Sequence, residues 1–220
     1  MAQSLVVLSG GQDSTTCLYW ALNEWGQGEV EAVSFDYGQR HRIELECAAI
    51  ISRRVGVPHT VLPIDTFRIL AGSVLVGEGS VNGQDVTNPH LPASFVPGRN
   101  LIFLTFAATL AYQRQIHHIV TGVTQTDYSG YPDCRKNTLD ALEETLRLGM
   151  EWDIKVHTPL MFLTKADTVH LAVSLGALEA LADSHTCYEG RRPPCGVCPA
   201  CRLRAQGFLA AGVEDPIFAK

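Results

Sequence analysis

The strongest constraint on the fold of this chain is a regular alternation of short apolar runs with segments of helical period. Residues 5–8 form a continuous apolar run, and the next segment places Cys17, Leu18, Ala21 and Leu22 on one face of a helix. The same order recurs about five times, with strands predicted at residues 5–8, 30–35, 60–62, 118–123 and 154–156. Because parallel neighbours in a sheet need a crossover helix, this pattern predicts an α/β fold: an open parallel five-stranded sheet with helices on both faces.

Chain length and composition fit one sizeable domain with a small appendage. The chain has 220 residues, of which 46% are hydrophobic, so a buried core is available. We assign residues 1–184 to the α/β domain and residues 185–220 to a cysteine-rich segment packed on it. Glycine, serine, asparagine and proline dominate residues 72–98, which we interpret as a long mobile loop that covers the site.

Charge and hydropathy limit the partners of the chain. The formal net charge of −6 weakens any general attraction to nucleic acid, so we expect no stable nucleic-acid partner. No apolar stretch approaches the roughly 18 residues that a membrane span needs, and the N-terminus lacks the pattern of a signal peptide. These features predict a cytoplasmic protein without a membrane partner.

A turn of glycine and hydroxyl residues, SGGQDST, follows the first predicted strand. One interpretation is a tight turn in which Asp13 or Ser14 caps the next helix. The other is a diphosphate cradle, since glycines let backbone N–H groups approach an anion and the helix N-terminus adds partial positive charge. Asp13 would then need a bridging Mg²⁺, because a carboxylate repels phosphate. The density of hydroxyls favours the cradle. The residues predicted to bind the nucleotide are Leu8, Ser9, Gly10, Gly11, Gln12, Asp13, Ser14 and Thr15.

Four cysteines lie within fifteen residues near the end of the chain, in TCYEGRRPPCGVCPAC. Four thiolates fill a tetrahedral zinc site and leave no open position, which makes such a site structural. A redox pair would need only two cysteines, and disulfides conflict with a reducing compartment. We therefore predict one structural Zn²⁺ held by Cys187, Cys195, Cys198 and Cys201. Four arginines are expected to offset its formal charge of −2, namely Arg191, Arg192, Arg202 and Arg204.

Several motifs resemble those of a known enzyme family. Residues 9–14 match the SGGxDS signature of the PP-loop ATP pyrophosphatases, which implies an adenine nucleotide alpha hydrolase-like fold. Across nearly the whole chain, the order of motifs resembles the 7-cyano-7-deazaguanine synthases, a PP-loop family of the queuosine pathway. The motifs are LSGGQDS, FDYGQRH, FVPGRN, TDYSGYPDCR, TPL and the four spaced cysteines. DYSGYPDCR discriminates best, because other PP-loop enzymes share only the first motif.

The resemblance implies an ATP-dependent ligase that forms C–N bonds. Such an enzyme converts 7-carboxy-7-deazaguanine and ammonium into 7-cyano-7-deazaguanine, passing from an activated acid to an amide and then to a nitrile. The implied cofactors are ATP, Mg²⁺ and structural Zn²⁺, and the implied partners are small molecules. The release of AMP or ADP stays open, as does the oligomeric state, a homodimer included.

Candidate roles follow from this chemistry. Asp13, Arg99 and Lys165 are the catalytic candidates, Asp13 as a Mg²⁺ ligand and the two cations as stabilisers of phosphate or of the transition state. In the substrate site, an aspartate would accept hydrogen bonds from the ring, a tyrosine would stack on it, and an arginine would pair with its carboxylate. The substrate candidates are Arg99, Asp127, Tyr131, Asp133 and Arg135. Ordinary turn and surface roles are the alternative for each.

Two other functions stay open. The first is a PP-loop enzyme that modifies tRNA directly, for example with a persulfide on Cys134, although the acidic chain argues against it. The second is a non-catalytic zinc module that binds RNA or a protein. An intact phosphate turn on an α/β sheet argues against the second.

Overall fold

The computed structural model describes residues 2–39, 42–66, 84–85, 87–126 and 130–218. Five strands form one sheet in the order β3-β2-β1-β4-β5, and every pairing between neighbouring strands is parallel. This confirms the predicted sheet. The strands are β1 Ser4–Val7, β2 Val30–Asp36, β3 His59–Pro63, β4 His118–Val120 and β5 Lys155–His157.

Helices cover both faces of the sheet, as predicted. The helices in the described part of the chain are α1 Gln12–Trp25, α2 Ile43–Arg54, α3 Arg99–Gln113, α4 Lys136–Met150, α5 Lys165–Ser174 and α6 Pro199–Ala211. Leu5 of β1 points into a core that it shares with α3 and α4, whereas the next residue, Val6, points into the core that contains residues of α1 and α2. None of these helices is long and apolar enough to cross a bilayer.

Two local features decide where elements near the site begin and end. A capping box starts α5, because the Asp167 N–H donates to the Thr164 hydroxyl at 3.2 Å and the Thr164 N–H donates to the Asp167 carboxylate at 3.1 Å. β4 ends at Val120, three residues before the predicted end. Gly122 there lies so close to α1 that a Cβ atom would stand 2.9 Å from the Ser14 nitrogen.

The C-terminal segment packs directly on the domain. Arg204 of α6 is buried and donates two hydrogen bonds of 2.7 Å to the Asp215 carboxylate, whose side chain is also buried. Arg192 donates to the carbonyl oxygen of Ala182 at 3.0 Å. These two arginines therefore hold neighbouring segments together, and the offset of the charge of the cysteine site by the four arginines stays a prediction. About half of the predicted loop 72–98, namely residues 72–83 and 86, lies outside the described residues, and its mobility stays a prediction.

Candidate functional site

A cavity of about 490 Å³ lies at the carboxyl ends of the strands. Its wall combines the segments that follow β1, β2 and β4 with the first residues of α3 and part of the C-terminal segment. This is the place where ligands bind in open parallel sheets. The predicted site residues that line it are Leu8, Ser9, Gly11, Gln12, Asp13, Ser14, Arg99, Tyr131 and Lys165.

The hydroxyl groups of the first turn bond to one another and to the turn itself. The Ser14 hydroxyl accepts from the Ser9 N–H at 3.1 Å and donates to the Gly11 carbonyl, and Thr15 donates to the same carbonyl at 2.7 Å. The N-cap of α1 is Gly11, without a side-chain cap, so the expected cap by Asp13 or Ser14 is wrong. The first N–H groups of α1 have no partner within the helix and are available to an anion.

Gly10 does not line the cavity. Its φ of +82° is unfavourable for other residues, and a Cβ atom would overlap the Glu44 carbonyl oxygen and stand 2.8 Å from the Ala48 nitrogen. The first glycine of the pair therefore lets α2 pack against the phosphate turn, whereas Gly11 lies on the cavity wall. The structure thus gives Gly10 a packing role, and its predicted contact with the nucleotide stays a prediction.

Replacing Gly10 by alanine is expected to lower the free energy of unfolding by about 3 kcal/mol, from left-handed backbone strain and overlap with α2. Gly212 is the matched control, because it also has a positive φ, +66°, in the left-handed helical region, but a Cβ atom there would meet no other atom within 4 Å. Gly212→Ala should cost only about 1–2 kcal/mol. Urea unfolding of both variants measures the difference, and equal costs would contradict the packing argument.

Asp13 and Lys165 form an ion pair on the cavity wall. The Lys165 ammonium lies 2.8 Å and 3.0 Å from the two carboxylate oxygens of Asp13, and the side chains of Lys165 and Asp13 are 12% and 25% exposed. The stem of Lys165 lies against Gly207, where a Cβ atom would stand 3.0 Å from the Lys165 Cβ. The two catalytic candidates are therefore one unit that joins the first turn of α1 to the start of α5.

Arg99, at the start of α3, forms the second cationic part of the wall. Its guanidinium carbon lies 6.0 Å from the centre of the Tyr37 ring. Burial opposes the charge of Arg99, but nearby phenolic oxygens, beginning with that of Tyr37, raise its pKa, so it stays a cation. Phe35 and Phe103 stack beside it with ring centres 4.5 Å apart. This part of the wall suits a flat ring that carries an anionic group.

Sequence reasoning missed Glu44, which lies in the first turn of α2 and lines the cavity. Its removal from water raises the pKa of its carboxyl group to about 7, and the charge of Arg99 opposes this rise. Acidic residues are common in the first turn of a helix, so the sequence offers no signal for a special role.

The predicted substrate residues in the segment before α4 do not all line the cavity. Tyr131 is buried on the wall, and its hydroxyl is hydrogen-bonded to Ser94 at 2.6 Å. Asp133 is buried off the described wall and accepts from the Asn100 N–H at 3.0 Å, which caps the start of α3. Arg135 is exposed and also off that wall. Asp127 lies outside the described residues.

The four clustered cysteines can hold a metal ion. Their sulfur atoms all lie within 4.8 Å of one another, and Cys201 stands in the first turn of α6. The sulfurs of Cys195 and Cys201 are 3.9 Å apart, close to the roughly 3.8 Å that bonds of about 2.3 Å give in a tetrahedral zinc site. Burial would raise the pKa of Cys195, but backbone N–H groups, first that of Cys198, lower it to about 6. Cys17 and Cys47 are buried residues outside the cluster.

The cysteine cluster is connected to the phosphate turn. The His185 N–H donates to the Gly10 carbonyl at 2.8 Å, and the His185 ring is hydrogen-bonded to the Cys187 carbonyl at 2.8 Å. Cys187 itself lines the cavity, next to Tyr188. The metal-binding segment is therefore part of the site wall.

Comparisons with known proteins agree with this arrangement. Residues 3–212 match the family described as "Queuosine biosynthesis protein QueC". Curated proteins named 7-cyano-7-deazaguanine synthase are similar to the chain: that of Chromobacterium violaceum is 63% identical over 98% of this chain and 92% of its own length. The protein from Laribacter hongkongensis is 61% identical over 97% and 93%, and that from Lysinibacillus sphaericus 49% over 94% of each chain.

Structural similarity extends beyond these relatives. A solved structure described as a predicted subunit of tRNA methyltransferase from Methanocaldococcus jannaschii has a TM-score of 0.51 at 19% identity, over 79% of this chain and 75% of that one. At this identity the likeness concerns the fold alone. The match over nearly the full length and the high identity of the relatives decide the family, and the chain therefore belongs to the QueC family of queuosine biosynthesis proteins.

Proposed function

We propose that this chain is an ATP-dependent ligase that converts 7-carboxy-7-deazaguanine and ammonia into 7-cyano-7-deazaguanine. The observation that carries the proposal is that one cavity joins the phosphate turn, the Asp13–Lys165 pair and an aromatic wall with Arg99. Its volume of about 490 Å³ lies in the usual range for small-molecule sites. The names of the relatives supply the identity of the product.

The phosphate turn is the proposed binding site for ATP. Among the described residues, none accepts a hydrogen bond from the N–H groups of Gln12, Asp13 and Ser14, so these donors suit the phosphate oxygens. The Asp13 carboxylate would hold Mg²⁺, which neutralises phosphate charge when bound. Lys165 then turns from Asp13 to the phosphates, a short movement because the ammonium already lies on the cavity wall.

The aromatic part of the wall is the proposed binding site for the deazaguanine ring. Tyr37 and Phe103 line this part of the wall and supply aromatic surface for the ring, and Tyr131 is fixed by its bond to Ser94. Arg99 is the cation best placed to pair with the 7-carboxylate, because it lines the wall and Arg135 does not. Asp133 already caps α3, so we assign it no contact with the ring.

The proposed reaction needs activation of the same carbon twice. A carboxylate resists ammonia because its oxygen leaves poorly, so its oxygen first takes a phosphoryl-type group from ATP. Ammonia then displaces the activated oxygen and gives the amide. The amide oxygen is then activated in the same way, the nitrogen loses two protons, and the C–O bond breaks so that the oxygen leaves with its activating group and the nitrile remains. Arg99 and Lys165 offset the negative charge that develops at each activated oxygen.

We propose that the ion in the cysteine cluster is Zn²⁺. Four thiolates without an open position are the usual ligands of structural zinc. A structural role also agrees with the contacts of His185 to Gly10 and to Cys187, which place this segment against the phosphate turn.

The proposal is tested by incubating the protein with ATP, Mg²⁺, ammonium and 7-carboxy-7-deazaguanine and measuring products by mass spectrometry. We expect the nitrile, only when ATP is present, and the nucleotide product distinguishes AMP from ADP. A parallel reaction contains tRNA and a sulfur donor in place of ammonium and 7-carboxy-7-deazaguanine. Thiolated tRNA without any nitrile would overturn the proposal in favour of the tRNA-modifying alternative, for which Cys134 on the cavity wall would be the acceptor.

A further inference from the structure

Glu44 is a cavity-lining carboxylate that has no role in the proposed binding of ATP or of the deazaguanine ring. It is partly buried in the first turn of α2, and its own backbone carbonyl lies against Gly10 of the phosphate turn. Its residue lines the same cavity as the phosphate turn, and its carboxyl group interacts with the charge of Arg99, so it belongs to the space in which an activated acyl phosphate would form. Among the described residues, no donor forms a hydrogen bond with this carboxylate, so its oxygens can accept a proton or a hydrogen bond from a ligand.

Three other side chains of the described wall are less suited to act as the base. The Asp13 carboxylate is paired with Lys165. The His185 ring is hydrogen-bonded to the Cys187 carbonyl and is buried. Burial raises the pKa of the Tyr37 hydroxyl, so this phenol stays protonated at neutral pH. Among the described residues of the wall, Glu44 is the carboxylate outside the Asp13–Lys165 ion pair, and it lies beside Arg99, where the acid is proposed to bind.

The surroundings of Glu44 favour reversible protonation. Among the described residues, the titratable and charged groups that face it are Arg99 at the start of α3, Tyr37 after β2, Tyr188 of the C-terminal segment and Cys47 on its own helix. Only Arg99 is charged at neutral pH, and it limits the rise in the pKa of Glu44 to about 7. A base with a pKa near the working pH is the most effective general base.

We propose that Glu44 is the general base of the ammonia step, an inference that rests on the proposed function. Neutral ammonia attacks the acyl carbon, and a C–N bond forms. Glu44 accepts one proton from the attacking nitrogen. The bond from carbon to the activated oxygen breaks, and its electron pair leaves with the phosphate oxygen. The amide and a protonated Glu44 remain, and the carboxylic acid then releases its proton to water.

The test is a pH profile of nitrile formation by the full-length chain and by Glu44→Gln, under saturating ATP and limiting ammonium. The ratio of the two rates cancels the titration of ammonium itself. We expect this ratio to be about 100 above pH 8 and to fall towards one at low pH, with an inflection near the pKa of Glu44, about 7. Glu44→Asp should restore part of the rate and keep the pH dependence.

Glu46→Gln is the matched control, because Glu46 lies on the same helical turn but is exposed and off the described wall. The ratio of the wild-type rate to the Glu46→Gln rate should stay near one at every pH. Thermal unfolding and the KM for ATP show whether Glu44→Gln folds and binds nucleotide. A rate ratio that does not change with pH, whatever its size, overturns the base role. If the wild-type chain forms no nitrile at all, the proposed function itself fails, which is a different result from a flat ratio.

Discussion

Lys165→Met is expected to lower kcat/KM for nitrile formation by about 10²–10³-fold, the usual cost of removing one donor that stabilises transition-state charge. The ammonium is the partner of Asp13 at 2.8 Å and lines the cavity beside the phosphate turn. Lys136→Met is the matched control. Lys136 also begins a helix and pairs with an aspartate, but its pair is exposed and off the described wall.

The measurement is steady-state nitrile formation by both variants, with thermal unfolding to show that they are folded. A loss of less than about threefold for Lys165→Met would contradict the assigned role. The double variant of Asp13→Asn and Lys165→Met distinguishes one unit from two independent groups. If the pair acts as one unit, the double variant is no slower than the slower single variant, whereas independent groups multiply their costs.

Cys201→Ser is expected to reduce the zinc content from about one ion per chain to near zero and to lower the free energy of unfolding by about 4 kcal/mol or more. Three thiolates and a serine hydroxyl make a poor tetrahedral site, and the segment around Cys187 loses the ion that would hold it. Because His185 connects this segment to Gly10, we also expect weaker binding of ATP.

Cys47→Ser is the matched control, since it also removes a buried thiol but lies outside the cluster. It should keep its zinc. Metal analysis by mass spectrometry of protein purified without chelator measures the ion, urea unfolding the stability and calorimetry the nucleotide affinity. A Cys201→Ser protein that retains one zinc per chain, or a wild-type protein that contains none, would contradict the assignment.

The sequence was sufficient to predict the features that depend on local spacing. The period of apolar residues predicts the strands and helices, the pattern from Thr164 to Asp167 predicts the capping box, and the spacing of the cysteines predicts the cluster. Each of these signals is contained in a short stretch of chain, so it does not depend on how distant segments pack.

The features that sequence reasoning missed depend on contacts between distant segments. Asp13 and Lys165 were predicted separately, and their pairing requires α5 to pack beside α1. Asp133 has the chemistry of a ligand but caps α3. Gly10 belongs to a sequence that is typical of an anion site, but its lack of a side chain also allows α2 to pack against it. In each case a residue type that suits a ligand is equally suited to a neighbouring segment, and only the tertiary structure distinguishes the two.

The ion pair of Asp13 and Lys165 also has a consequence for synthesis of the chain. Its two members are 152 residues apart, so the phosphate turn leaves the ribosome long before the lysine that completes it. β1 and α1 are therefore synthesised before the distant strand and helix that are needed to cover the sheet centre on both sides. A nascent or truncated chain that ends before α5 contains the nucleotide signature without the complete cavity, and it should neither retain nor consume ATP.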